Sequence, residues 1–343
     1  MIEAIYRDRR FLVKDNGCTS DWRPQEFGIT QGCPLSPFLF VVVMTILLGD
    51  AKEDLEINHN MEQQGVCSIG ELVYADDTLL VDVSPGVAEQ FMRCISKAGQ
   101  EYGLSFNWTK LEVMPVNMEA DIKKPDGGNV TRKATLKYLG CQLSSDGRLG
   151  SELGLKIGLA KRDFETLARV WSHSHIRVRR RIQIFQSCVG SRLLYGLTSA
   201  CLRKADRRRL DGFHARCLRR ILKIPAAYVS RVSNATVFER AGCRPFSAQL
   251  LEQQLMFLGT IARRSDDDPV RRCVFKPGGT TPKAPEKTRK RGRPAQTWST
   301  VVLPLALQVA RGCHNKLKEM LSTGAKERRT WRAAVHRFCQ DLR

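Results

Sequence analysis

Two adjacent aspartates interrupt a short apolar segment of this chain. Residues 71–83 read ELVYADDTLLVDV, which places Asp76 and Asp77 between two pairs of large aliphatic residues. Ionised carboxylates are costly among apolar side chains unless a cation offsets their charge or water reaches them. The segment therefore predicts a β-hairpin with the two aspartates at its tight turn, rather than a helix.

Two carboxylates at such a turn suit metal-assisted phosphoryl transfer. In that chemistry two divalent ions about 3.5–4 Å apart hold the attacking and leaving oxygens. Neighbouring residues of a strand point to opposite faces, so only one of the pair can face a shared site squarely. The alternative interpretation is a solvated turn between two strands, with no bound metal.

The charge of the chain is distributed unevenly. Its 343 residues contain 56 Lys and Arg against 35 Asp and Glu, a formal net charge of +21. Residues 1–160 have a net charge of −6, whereas residues 161–343 have one of +27. This asymmetry predicts a polyanionic partner for the second half. The apolar content of 42% excludes a collagen-like or wholly disordered chain.

A membrane or zinc protein is not indicated. The longest apolar run, residues 38–48, is too short for a spanning helix of about 20 residues and predicts a buried core helix instead. None of the twelve cysteines forms a C-x-x-C pair. The N-terminus has no apolar stretch of signal-peptide type. We therefore expect an intracellular protein with reduced thiols.

Apolar periodicity and turn signals predict an α+β fold. Helical spacing is clearest in residues 85–102, 246–263 and 298–342, and basic amphipathic helices cover residues 154–224. Residues 277–294 are rich in Gly, Pro and Lys and predict a flexible linker. The chain then divides into five regions: 1–148 with hairpins and helices, 149–235 helical and basic, 236–276 a helical connector, 277–297 a basic linker, and 298–343 a C-terminal helical region.

Four sequence blocks occur in a characteristic order. They are GITQGCPLSP at 28–37, YADD at 74–77, GLSFNWTK at 103–110 and KYLG at 137–140. Together they resemble the palm of a reverse transcriptase of the non-LTR (LINE-like) retrotransposon class, with a group II intron or other retroelement polymerase as a related alternative. The resemblance covers about residues 1–145 and continues into the basic helices, which would form an α-helical thumb.

The resemblance implies an RNA-directed DNA polymerase that adds dNTPs to a primer 3′-hydroxyl under two Mg²⁺ ions. It implies Asp76 and Asp77 as the catalytic metal ligands, with Asp76 the principal one. The template- and nucleotide-binding residues would be Gln31, Gly32, Pro34 and Lys110. The turn that grips the primer end would consist of Tyr138, Leu139 and Gly140. Because Leu111 replaces the family's more usual threonine, Lys110 is equally interpretable as a solvated loop lysine.

One element of the family pattern is missing from this sequence. Such polymerases take a further metal-binding aspartate from a strand upstream of the Gln31 block, and no comparable string lies between Met1 and Gly28. Asp8 and Asp15 are candidates, but the arginines beside Asp8 favour a surface ion pair. We therefore expect a C-terminal portion of a reverse transcriptase, a truncated copy or an incomplete gene model, which is inactive alone.

The basic second half predicts contacts with nucleic-acid phosphates. Several neutralised phosphates would give salt-dependent affinity without sequence preference. The predicted backbone-binding residues are Arg179, Arg180, Arg181, Arg207, Arg208, Arg219, Arg220, Arg291 and Arg293. Residues 287–294, KTRKRGRP, resemble an AT-hook and also a nuclear address. A solvated helix face is the alternative interpretation of these charges.

Three functional hypotheses follow from these observations. The first is a partial RNA-directed DNA polymerase that binds an RNA template and a DNA primer. The second is a non-catalytic, basic nucleic-acid-binding protein derived from a retroelement. The third is a pseudogene product that does not fold stably, because half a palm sheet exposes an unpaired strand edge. Nothing in the sequence points to a membrane or to a protein partner.

Overall fold

The computed structural model describes residues 2–26, 28–29, 32–59, 70–147, 149–281, 283 and 297–341. In this part of the chain, helices are combined with small antiparallel sheets, which confirms the predicted α+β fold. The chain divides into two compact units. The first comprises Met1–Val113 and Ala120–Thr131, and the second comprises Met114–Glu119 and Arg132–Arg343. Among the described helices, none combines the length and the apolar character that crossing a bilayer requires.

The first unit contains short strands around two long helices. Its elements are α1 (Ile2–Tyr6), β1 (Arg10–Phe11), β2 (Lys14–Asp15), β3 (Cys18–Thr19), β4 (Arg23–Pro24), α2 (Ser36–His59), β5 (Glu71–Tyr74), β6 (Asp77–Leu80), α3 (Pro85–Glu101) and β7 (Glu112–Val113). Strand β8 (Thr131–Arg132) lies at the boundary and pairs with β7. The other pairs are β1 with β4, β2 with β3, and β5 with β6.

Local sequence explains where α3 begins and ends. The Ser84 hydroxyl accepts a hydrogen bond from the Val87 N–H, and Pro85 occupies the first turn, where its missing N–H costs nothing. After the helix, Gly103 adopts a φ of 68°, a conformation that favours glycine. The predicted helix over residues 85–102 is therefore confirmed to within one residue.

Only one face of α2 is buried against α3. Leu47 and Ala51 of α2 pack with Phe91 and Ile95 of α3 in a small apolar core. On its other face, Phe38 is 71% exposed, and so to lesser extents are Val41, Val42 and Ile46. The prediction of a buried core helix at residues 38–48 therefore holds for Leu47 and Leu48, which are buried, and is wrong for the exposed face. In the described part of the chain, the packing of α3 covers one side of α2 only.

The second unit is a hairpin followed by helices. Its elements are β9 (Thr135–Tyr138), β10 (Cys141–Ser144), α4 (Gly150–Thr166), α5 (Ala168–Ser172), α6 (Val178–Phe185), a π-helical segment (Gln186–Gly190), α7 (Ser191–Leu194), α8 (Lys204–Ile221), α9 (Ala227–Ser230), α10 (Asn234–Ala241), α11 (Phe246–Ala262), α12 (Pro269–Val274), α13 (Trp298–Val309), α14 (His314–Met320) and α15 (Ala325–Asp341). The unit therefore begins before the boundary at residue 148 that the sequence suggested.

Two apolar cores support this unit, and α11 contributes to both. Phe185 and Leu210 lie in the first core, which also takes Leu250 from α11. The second core is built from the following helices and takes Leu255 from α11, packed with Trp331 of α15. The helix predicted at residues 246–263 is confirmed. Since α11 contributes side chains to both cores, it connects the C-terminal helices to the rest of the second unit.

Candidate functional site

The two aspartates lie at the turn of the β5–β6 hairpin. Tyr74 pairs with Asp77, which leaves Ala75 and Asp76 as a two-residue turn. The predicted hairpin is therefore confirmed. Both aspartate side chains are exposed. Because Tyr74 and Asp77 are directly opposite in the ladder, their side chains share one face of the hairpin.

Ala75 adopts an unusual backbone conformation at this turn. Its φ is 54°, in the left-handed region that costs a residue other than glycine about 1–2 kcal/mol. Backbone outliers of this kind cluster at functional sites, where the surrounding structure holds them in place. This conformation gives Asp76 its position at the tip of the hairpin.

Contacts at its base attach the hairpin to α2 and α3. Lys52 of α2 forms an ion pair with Glu71. The Val81 N–H donates to the Gly70 carbonyl at 3.0 Å and closes the base of the hairpin itself. Leu80, the last residue of β6, packs against the core formed by α2 and α3. The position of the acidic turn is therefore fixed by α2, which begins within the Gly28–Pro37 block, and by α3.

The loop over residues 103–110 is anchored in the same core. Phe106 packs against that core together with Leu80, and its ring meets the Trp108 ring edge-on at a centroid distance of 5.3 Å. Lys110 is exposed, and its N–H donates to the Asn107 carbonyl at 3.0 Å. The first unit thus brings this block and the acidic hairpin together through shared apolar packing.

The described part of the glycine-rich block forms the approach to α2. Gly32 has a φ of 86°, and Pro34 is exposed just before the helix. The Ser36 side chain is buried and lies 3.4 Å from the Tyr6 hydroxyl of α1. A backbone hydrogen bond from Leu35 lowers the pKa of the Cys33 thiol, a feature that the sequence motif did not indicate. Gln31 lies outside the described residues.

A comparison with protein families gives a match for the first part of the chain. Residues 1–143 match a family model described as reverse transcriptase (RNA-dependent DNA polymerase). The first part of the chain is therefore similar to a reverse transcriptase domain. The match covers the glycine-rich block, the acidic hairpin, the residue 103–110 loop and nearly all of the β9–β10 hairpin. It ends at residue 143, so the helices of the second unit lie beyond it.

The structure shows no two-metal site among the residues that it describes. They contain no cluster of three or more Asp, Glu, His or Cys side chains able to hold a metal ion. Asp8 and Asp15, the upstream candidates, are both exposed, and the ion pair at Arg7 is formed with Glu3 instead of Asp8. Hard divalent ions need several carboxylate oxygens, and Asp76 and Asp77 alone are too few for a pair of ions.

The Tyr138–Gly140 block forms the turn between β9 and β10. Tyr138 pairs with Cys141, so that Leu139 and Gly140 make the turn with φ values of 47° and 75°. Positive φ at both central residues is the pattern of a type I′ hairpin turn. This turn belongs to the second unit, whereas the acidic hairpin belongs to the first.

The predicted phosphate-binding arginines of α6 and α8 differ in their exposure to solvent. Arg179 and Arg180 of α6, and Arg208 and Arg220 of α8, are exposed, whereas Arg207 is half-buried. Both carboxylate oxygens of Glu165 accept hydrogen bonds from Arg220 at 2.7 Å. The residues Arg291 and Arg293, with the whole string 287–294, lie outside the described residues.

Arg181 and Arg219 are buried and serve the fold. Arg181 donates to the carbonyls of Trp171, His173 and Ile176 at 2.8–3.1 Å. Arg219 donates to the Val232 carbonyl at 2.7 Å and to Pro225, Ser230 and Asn234 in the segment after α8. Their guanidinium groups are therefore occupied inside the second unit, and the phosphate-binding set proposed below excludes both residues.

Proposed function

We propose that this chain is a portion of a reverse transcriptase of the non-LTR (LINE-like) class, and that it binds a template–primer duplex. The observation that carries the proposal is the common anchoring of the acidic hairpin and the residue 103–110 loop within the matched domain. The order of the four sequence blocks supports the LINE-like assignment. The basic helices that follow supply the charge that a thumb needs to hold a duplex.

We further propose that the chain does not synthesise DNA by itself. The family reaction adds a dNTP to a primer 3′-hydroxyl and depends on divalent metal ions. Asp76 and Asp77 are the proposed metal ligands, but the described residues offer no third acidic side chain beside them. Mg²⁺ binding would therefore be weak in this chain.

A primer-extension assay tests this part of the proposal. We expect no incorporation of dNTPs on an RNA template with either Mg²⁺ or Mn²⁺. Incorporation that Asp76→Ala abolishes would overturn it. Glu101→Ala is the control, because Glu101 is an exposed acid of the same unit at the end of α3.

A second candidate function is non-catalytic binding of nucleic acid. It is favoured by the net charge of +27 on residues 161–343 and by the exposed arginines of α6 and α8. Affinity would then come from phosphate neutralisation, with a logarithmic salt slope of about 0.9 per phosphate contacted on duplex DNA. The two candidates differ only in whether the acidic hairpin takes part.

Substitution of the exposed arginines tests the binding surface. We expect a triple change, Arg179→Ala with Arg180→Ala and Arg208→Ala, to lower the salt slope of duplex binding by about 2–3. The matched control removes exposed arginines elsewhere in the second unit, namely Arg240, Arg272 and Arg329. An equal decrease of the salt slope in both triple variants would contradict the assignment of the binding surface to α6 and α8.

The same proposal includes a nuclear location. A short basic string such as residues 287–294 acts as a nuclear address when it is accessible. Fusion of the chain to a fluorescent protein, with and without this string, tests the location directly. Nuclear signal that persists without the string would remove its role.

A further inference from the structure

Tyr195 lies directly against the turn between β9 and β10. Its hydroxyl donates a hydrogen bond to the Leu139 carbonyl at 3.1 Å. A Cβ atom built on Gly140 would lie 3.5 Å from the ring of Tyr195, so the ring lies on the side of Gly140 where a side chain would project. Tyr195 therefore bonds one central residue of the turn and lies beside the other.

The turn needs outside support because of its backbone conformation. Leu139 has a φ of 47°, which an isolated leucine disfavours, whereas glycine accepts the φ of 75° at Gly140. Such conformations persist where the surrounding structure holds them. The hydrogen bond from Tyr195 is made to Leu139, the residue whose backbone carries this strain.

Tyr195 is itself held by a buried charge. Lys156 of α4 donates to the Tyr195 carbonyl at 2.6 Å, and its ammonium group lies 5.5 Å from the centre of the Tyr195 ring. The Lys156 and Glu152 side chains are both buried, at a distance of 3.6 Å from each other. The tyrosine is thus attached to α4 at its backbone and to the hairpin at its hydroxyl.

The next residue brings the backbone against β10. Gly196 has a φ of 73°, and a Cβ atom there would lie 2.2 Å from the Cys141 sulfur. A larger side chain at this position would require the Cys141 side chain to move, and the positive φ would strain it as well. The Tyr195–Gly196 segment therefore lies in close contact with the β9–β10 hairpin.

We propose that Tyr195 is a positioning residue that fixes the orientation of the Leu139–Gly140 turn toward the 3′ end of a primer. The role of the turn in holding a primer rests on the function proposed above. The support of this turn by Tyr195 is argued from the contacts within the second unit. The two parts can be separated by experiment.

The test compares Tyr195→Phe with Tyr228→Phe in the full chain. The first variant removes only the hydroxyl that bonds Leu139 and keeps the ring beside Lys156. The control removes the same atom from Tyr228, a 79% exposed tyrosine of α9 in the same unit. The two measurements are amide hydrogen exchange over residues 135–144, and binding to a duplex with a recessed 3′ end against a blunt duplex of equal length.

For Tyr195→Phe, we expect about three- to tenfold faster exchange in the hairpin, which is the range for loss of one hydrogen bond. We expect the preference for the recessed 3′ end to fall by a similar factor, with blunt-duplex affinity and thermal unfolding unchanged. Tyr228→Phe should change none of these quantities. A general structural role would instead alter thermal unfolding and exchange throughout the unit.

Two results would overturn the inference. Unchanged exchange over residues 135–144 in Tyr195→Phe would show that the hydroxyl does not hold the turn, whatever nucleic acid the chain binds. Faster exchange with an unchanged preference for the recessed end would refute the link to the primer. If the wild-type chain binds no duplex at all, the proposed function fails, whereas the exchange measurement still decides whether Tyr195 holds the turn.

Discussion

His214 is an ionisable residue enclosed in the first core of the second unit. It is fully buried, and its ring stacks on Phe246 at a centroid distance of 3.7 Å, with Phe185 and Phe238 nearby. Neither ring nitrogen has a hydrogen-bond partner among the described residues. Burial lowers the pKa of His214 to about 3, because the apolar surroundings disfavour the charged ring.

This burial predicts a loss of stability in acid. The unfolded chain binds a proton at His214 near pH 6.5, whereas the folded chain does so only near pH 3. The contribution of this group is therefore fully present above pH 6.5 and falls by about 1.4 kcal/mol per pH unit below it. Between pH 7.5 and pH 5, we expect the free energy of unfolding to fall by about 2 kcal/mol more in the wild type than in His214→Phe.

Urea unfolding at the two pH values, followed by the fluorescence of Trp171 and the other tryptophans, measures this difference. Trp171 is a suitable reporter because it lies in the same core. Carboxylates with lowered pKa values, such as Glu252, affect both proteins equally and cancel in the comparison. Identical pH dependence in the wild type and the variant would refute the role assigned to His214.

Arg219 illustrates why a basic helix cannot be interpreted from charge alone. Its guanidinium group holds the segment after α8, residues 225–234, through four hydrogen bonds. We expect Arg219→Ala to destabilise the protein by about 2–4 kcal/mol, because buried acceptors lose their donor. Arg216→Ala, at an exposed position one turn earlier, should cost less than about 0.5 kcal/mol. Chemical denaturation of both variants compares them, and equal stabilities would return Arg219 to the phosphate-binding set.

Among the contacts between helices, α11 and α15 approach each other closely at Gly259. A Cβ atom on Gly259 would lie 2.4 Å from the indole nitrogen of Trp331, whose N–H donates to the Leu255 carbonyl at 3.1 Å. Trp331 is 1% exposed and has no room to move aside. The glycine therefore sets the distance between the two helices.

We expect Gly259→Ala to destabilise the protein by about 1–3 kcal/mol through overpacking at this crossing. The control is Gly158→Ala in α4, where the added methyl group meets nothing within 4 Å. There, helix propensity predicts a gain of about 0.5–1 kcal/mol. Thermal unfolding of the two variants should thus shift in opposite directions, and a neutral Gly259→Ala would contradict the packing described.

Elements with strong local signals were predictable from the sequence. Helix α3 has regular apolar spacing and a Ser-Pro start, and the hairpin at residues 71–80 has two apolar runs around a polar turn. Short helices were not singled out, although their caps are present. Ser233 and Gly242 bound α10, and Asp268 caps α12 before Pro269. Such helices depend on tertiary packing, which local pattern does not reveal.

The candidate site was predictable only in part for the same reason. The turn with Asp76 and Asp77 follows from its own sequence, because hairpin chemistry is local. Three other features depend on residues far away in the sequence. They are the exposed face of α2, the burial of Arg219 and the contact of the Leu139 turn with Tyr195. No periodicity or charge count contains that information.

For the whole molecule, the uneven charge predicts how nucleic acid affects stability. The apolar cores of the two units are separate, so we expect separate unfolding transitions. Most of the positive charge lies in the second unit, and binding stabilises whichever unit provides the contacts. A duplex at 100 times its Kd should add about 2.7 kcal/mol to the stability of that unit.

Differential scanning calorimetry with and without duplex measures this effect. The Gly259→Ala variant identifies the transition of the second unit, since the substitution lies in that unit alone. We expect duplex to raise mainly this transition, and the rise to shrink as salt concentration increases, because phosphate contacts weaken with salt. A rise confined to the other transition would place the binding on the first unit, and would remove the basic helices from the proposed function.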